Sequence, residues 1–300
     1  MRDATLARGT RRKTRPRRRR ARRSATSWRL ARRAALALRD ARWSIRIVVG
    51  TVLLVALWAT VNGIVQVGRK PTEALFPVSG SLVKTPAQTW RQYRSLFAKY
   101  ATAVITPELL AALAQVEGSG NPIPRTYWRW QFSWNPFELY RPASSAVGMF
   151  QITDGTFAEA RRYGIHDHTV VEDGPWHDQP SGWLDTLYTR VVPERAVEMT
   201  AALLDRTVAR TLERHRSAAA SLQQRQDLAA VIHLCGSGAG NAYARRAFRL
   251  RRGQRCGDHD ARRYLAEVNA VKRQFARLAA FDRSRTTPLA RVNERLTADE

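Results

Sequence analysis

From Ile47 to Val67 the chain runs without a single charged side chain, bounded by Arg46 on one side and Arg69-Lys70 on the other. A helix of that length rises about 30 Å, the thickness of a bilayer's hydrocarbon core. The stretch therefore predicts one transmembrane helix over 47–67. It is longer than the core of a cleavable secretory signal, and no clear small-x-small site follows it, so a retained signal anchor is the expected form.

Residues 1–46 carry eighteen Lys or Arg against Asp3 and Asp40, which accounts for sixteen of the chain's +26 net charge. A flank that basic stays cytoplasmic, which places everything after residue 70 outside the cytoplasm. The run Arg17-Arg18-Arg19-Arg20 would hold phosphate without sequence preference. Without a recognisable nucleic-acid-binding fold, topology and attraction to anionic lipid heads explain the tail more simply, and no specific nucleic-acid partner is expected. The tail reads as disordered, or as partly helical where Ala and Leu accumulate between Ser27 and Arg46.

After the span, residues 68–86, with Pro71, Pro77, Gly80 and Pro86, read as a linker lifting a domain off the membrane. Residues 87–281 are long enough for one domain with a core of its own, and 282–300 read as a flexible tail. Helical periodicity recurs over 93–104, 194–216, 222–234, 241–251 and 260–281, while strand-like alternation is nearly absent, so the fold class is mainly α. Between 127 and 140 lie Tyr127, Trp128, Trp130, Phe132, Trp134, Phe137 and Tyr140, an unusual density of rings for a loop. Most of them are expected to pack, with one or two lining a groove. His166, His168 and His177, with Asp167, Asp173 and Asp178, match no metal-ligand spacing and read as a solvated loop, so neither metal nor cofactor is expected. Cys235 and Cys256 form a bridge if the domain folds in an oxidising exterior, and two buried free thiols are the alternative.

The chemistry concentrates around one carboxylate. Thr106-Pro107-Glu108 is a helix start, with a capping hydroxyl, Pro in the first turn and an acid behind it. The apolar run Leu109 to Val116 follows, and Glu117 ends it. A carboxyl at the end of a buried helix, short of water, holds its proton to higher pH, as a general acid requires. The plain alternative is a surface Glu near a helix end. Downstream, Gly148-Met149-Phe150-Gln151 forms a glycine-led turn that ends in an amide able to bond a hydroxyl or N-acetyl group.

Glu117 with Asn121-Pro122, followed by Gly148 to Gln151, resembles the catalytic domain of the soluble lytic transglycosylases, relatives of goose-type lysozyme. The likeness continues through Thr153 to Phe157, Pro193 to Met199, Ile232 to Gly240 and Arg263 to Val268, and covers about residues 104–275. Gly118 stands where that family usually has Ser, and His233 where it usually has Tyr.

The resemblance implies a lysozyme-like, mainly α domain that cleaves the β-1,4 bond between N-acetylmuramic acid and N-acetylglucosamine, with Glu117 as acid and then base and a 1,6-anhydromuramyl product. It implies substrate contacts from Ser119, Gly148, Met149, Gln151, His233 and Tyr264. It also implies peptidoglycan strands as partner, a periplasmic location on the inner membrane, and service to an envelope or secretion complex. Two other readings stay open: a hydrolysing muramidase on the same fold, with Asp154, Asp167, Asp173 or Asp178 as second carboxylate, and a catalytically silent sugar-binding scaffold.

Overall fold

The computed structural model describes residues 32–33, 36–172, 189–217 and 219–298, with side chains described up to 284. The architecture is mainly helical and divides into two units, residues 1–63 and 64–300.

The first unit contains most of helix α1 (Trp43–Arg69). Its 27 residues rise roughly 40 Å. Its most apolar window has a mean hydropathy of 2.1 and is only 6% buried, so this helix is long and apolar enough to cross a membrane. Val48, Val52, Leu53, Leu54 and Leu57 all face outward. The hydroxyl of Thr60 donates to Ala56 O at 2.8 Å, within the helix.

In the second unit, the segment expected as a linker is packed structure. Three short helical turns, Pro71–Leu75, Phe76–Ser79 and Gly80–Leu82, follow one another and bond to the domain. Lys70 Nζ donates to Thr126 Oγ1 at 2.5 Å and lies 3.5 Å from the Glu73 carboxylate, while Trp128 Nε1 donates to Glu73 at 2.9 Å. Ser79 Oγ donates to Ile123 O at 2.7 Å, and Lys84 N–H to Ser119 O at 2.9 Å. Prolines here set φ at the starts of turns rather than keeping a spacer extended.

The core is built by α2 (Pro86–Lys99), α3 (Pro107–Gly118), α5 (Pro193–Arg214), α6 (Leu222–Arg245) and α7 (Ala261–Ala298). Thr85 and Gln88 form a reciprocal capping box that starts α2. Thr106 caps α3 through Leu109 N–H, with Pro107 in the first turn, as the sequence predicts. Leu109 to Ala114 are all buried, so α3 is apolar on every side and runs through the middle of the unit. Phe97, Phe150, Leu228 and Phe275 join it in one core cluster. Each such side chain contributes about 1.5–3 kcal/mol by leaving water.

The helices expected at 222–234 and 241–251 are the two pieces of α6, divided by a kink at Gly236, whose φ of 78° and ψ of 171° are non-helical, and the second piece ends at Arg245. Two differences from the sequence reading concern elements. The flexible tail expected after 281 is instead helical, since α7 continues through Ala298. Three antiparallel hairpins are present: β1 (Trp128–Trp130) with β2 (Tyr140–Pro142), β3 (Tyr163–His166) with β4 (Thr169–Glu172), and β5 (Arg255–Cys256) with β6 (His259–Asp260). His166, Asp167 and His168 are thus at a hairpin end. His166 pairs with Asp167 at 3.3 Å and His168 Nδ1 lies 2.8 Å from Ala101 O, while Asp173, His177 and Asp178 lie outside the described residues.

Candidate functional site

The last turn of α3 carries Glu117 to the edge of a cleft of about 1220 Å³. The helix stops there because Ser119 turns left-handed at φ 50°, and Gly120 N–H returns to Ala114 O at 3.0 Å. Asn121, 1% exposed, fastens the chain beyond this stop: its amide donates to Ser79 O at 2.8 Å, and its oxygen accepts Ile123 N–H at 2.8 Å. The Asn-Pro element therefore holds the end of the Glu117 helix in place and does not enter the cleft lining.

Residues 147–152 form a tight turn against that helix end. Val147 and Ile152 exchange both backbone hydrogen bonds, and Gln151 N–H bonds Gly148 O at 3.0 Å. Gly148, at φ 82°, brings this turn so close to Arg190 that an added Cβ would lie 2.0 Å from the Arg190 carbonyl oxygen. Gly118 serves a similar approach from α3, since a Cβ there would meet Met149 O at 2.9 Å. This contact explains why position 118 holds glycine: the two elements that bear the site touch through it.

Of the residues implied by the resemblance, Glu117, Gln151, His233 and Tyr264 line the cleft together. Tyr264 OH donates to Glu117 Oε1 at 2.5 Å, and His233 Nε2 lies 3.7 Å from the same oxygen. The Glu117 side chain is 18% exposed and that of His233 10%. Gln151, itself left-handed at φ 50°, turns its amide nitrogen back to Gly148 O at 3.0 Å. Ser119 lies in a neighbouring hollow of about 330 Å³, which Glu117 and Arg125 also border. Gly148 and Met149 are not wall residues. Met149 is 1% exposed in the core, where an unbranched thioether packs well, and Gly148 shapes the turn.

Burial pushes the Tyr264 phenol well above its usual range, with the Glu117 carboxylate adding to the effect, so Tyr264 remains a proton donor. Burial also lowers His233 from 6.5, outweighing Glu117 and a backbone hydrogen bond at Phe150, both of which raise it. A depressed folded pKa means that the folded state prefers the neutral ring. That contribution is complete above 6.5 and is lost as pH falls below it toward the folded value. The variant His233→Gln should therefore lose less stability than the wild type between about pH 7.5 and about pH 5.5 in parallel urea titrations. Equal losses would show that the ring does not carry this linkage.

Several wall residues carry little sequence signal. The β5–β6 hairpin supplies Arg255, Cys256 and Asp258, and the Cys235–Cys256 disulfide, with a Cα separation of 5.3 Å, fixes it to α6 beside His233. Across the cleft, Tyr127 OH donates to Asp258 at 2.5 Å. Arg129, Arg263 and Glu267 complete the charged lining, and Glu267 could have been found by its three-residue spacing from Tyr264 on one helix. Of the candidate second carboxylates, Asp154 is paired with buried Arg190 at 2.8 Å and Asp167 is on the exposed β3–β4 turn, both away from the cleft lining, while Asp173 and Asp178 are outside the described residues. Among the described residues no group of three or more His, Cys, Asp or Glu is placed to hold a metal ion. No family model, curated protein or solved structure matches the chain.

Proposed function

We propose that residues 64–300 form a lysozyme-like peptidoglycan lytic transglycosylase held by α1 in the cytoplasmic membrane, with the domain on the periplasmic side. The observation that carries this reading is the position of Glu117: one carboxyl borders two adjoining hollows, and a buried phenol bonds one of its oxygens. A polymer lying through both hollows would pass a glycosidic bond over the carboxyl. Arg125, Arg129, Arg255 and Arg263 in the walls suit a strand that bears carboxylates.

With Oε1 held by Tyr264, the proton on Glu117 passes to the glycosidic oxygen as the C1–O bond breaks. The N-acetyl group of the substrate supports the oxocarbenium charge. The muramyl 6-hydroxyl then attacks C1, closes the anhydro ring and returns its proton to Glu117, so one residue serves both steps. Neutral His233 adds no second charge beside it. The basic tail favours the cytoplasmic side, in keeping with a periplasmic domain, and an envelope or secretion complex that needs a gap in the wall would use such an activity.

Digestion of purified sacculi by the full-length protein, followed by mass analysis, tests the proposal. Muropeptides lighter by one water than their reducing counterparts are expected. Reducing ends would turn the reading to a muramidase, and strand binding without release would turn it to a scaffold.

A further inference from the structure

The β1–β2 hairpin carries rings that neither the core nor the cleft takes up. Its stem is ordered by packing: Tyr140 lies 5.3 Å from Trp128 and 4.8 Å from Trp130 by ring centroids. At the end of the stem Trp130 is still two-thirds exposed, and beyond it Phe132 and Trp134 are fully exposed. Neither Phe132 nor Trp134 borders the cleft or the smaller hollow. Rings of this size in water incur a hydrophobic cost that a folded domain usually avoids by burying them.

What stands beside this tip is the end of α1. Gln66 Nε2 donates to Phe137 O, and Arg69 Nη1 is 3.6 Å from Glu138 Oε1. Asn135 closes the turn Pro136–Glu138 by accepting Phe137 N–H at 3.0 Å. The hairpin is thus fastened where the apolar run of α1 gives way to Arg69 and Lys70. Trp134 is three residues from that fastening and Phe132 five, so their backbones lie within about 10 Å and about 17 Å of it. The headgroup layer on each side of a bilayer is roughly 5–7 Å deep, and tryptophan rings favour that layer.

We infer that the tip of this hairpin is a lipid-binding foot, with Trp130, Phe132 and Trp134 entering the headgroup layer of the leaflet from which α1 emerges. Arg69 and Arg141, on the helix end and the stem, lie 3.6 Å and 3.9 Å from the one carboxylate of Glu138, so this edge of the foot keeps a net positive charge suited to anionic phospholipid. The inference rests on α1 crossing the bilayer.

The test uses full-length protein in nanodiscs of phosphatidylethanolamine and phosphatidylglycerol, with its Cys235–Cys256 disulfide intact. Single nitroxide labels are placed at Phe132→Cys, at Val55→Cys within the span, and at Leu222→Cys on an exposed helix start. Collision rates with oxygen and with a water-soluble nickel chelate report depth. The label at 132 should meet nickel several-fold less often than that at 222 and should favour oxygen, as that at 55 does more strongly. If 55 is deep in lipid and 132 behaves like 222, the foot is overturned while the span stands. An aqueous label at 55 removes the span and the foot together. Immobilisation at 132 only when soluble glycan strands are added, with nickel access unchanged by lipid, would assign the rings to sugar and overturn the lipid reading.

Discussion

Full-length protein bearing Glu117→Gln should release anhydromuropeptides from sacculi about 10³-fold more slowly than the wild type, the scale on which a positioned general acid acts. The amide has nearly the shape of the carboxyl and can still accept the Tyr264 hydroxyl, so the fold and the affinity for sacculi should hardly change. What it lacks is a proton to donate to the leaving oxygen and a base to receive one from the 6-hydroxyl. Both steps fail at one atom, and neither Asp154 nor Asp167 lines the cleft to replace it. Release by the Gln variant at the wild-type rate would overturn the assignment of Glu117 and the enzymatic reading with it. A variant that neither releases nor binds would point to damaged structure, which its melting temperature would show.

The parts of this site that were legible in sequence are those written locally. The start of α3 is announced by Thr106-Pro107, the half-buried position of Glu117 by the apolar run before it, and the bridge by two cysteines in a chain with no others. The illegible parts depend on long-range pairing. Strands of two to four residues, such as Arg255–Cys256, are too short to display alternation, so the hairpin that walls the cleft gives no periodic signal. The tie from Asn121 to Ser79 joins residues 42 apart and turns a proline-rich stretch that reads as a linker into part of the domain. Helical periodicity shows two pieces on either side of Gly236, but not that they abut at a single residue, which depends on that glycine's φ of 78° and ψ of 171°. The roles of Gly118 and Gly148 required the partners across from them, Met149 O and Arg190 O.

Gly148→Ala should lower unfolding stability by about 3 kcal/mol, combining the left-handed backbone cost of roughly 1–2 kcal/mol with an overpacking cost of similar size. The overlap falls on a backbone carbonyl, that of Arg190, which cannot rotate away as a side chain would. Arg190 is also tethered: its guanidinium donates to Ser145 O at 3.2 Å and Ile152 O at 3.0 Å and pairs with Asp154 at 2.8 Å, so its whole segment must move. That movement would displace the turn holding Phe150 in the core and Gln151 in the cleft, and activity on sacculi should fall with stability. Gly118→Ala provides the control. Its Cβ would lie 2.9 Å from Met149 O, also a backbone atom, so it carries an overpacking cost, but in ordinary helical backbone it adds no left-handed cost and a better helix former offsets part of it, for a net loss of about 1 kcal/mol. Urea titration of the two variants in detergent, followed by tryptophan fluorescence, should separate them clearly. Equal midpoints would mean that the 147–152 turn yields freely at Arg190, and the rigid placement of Gln151 beside Glu117 would have to be abandoned.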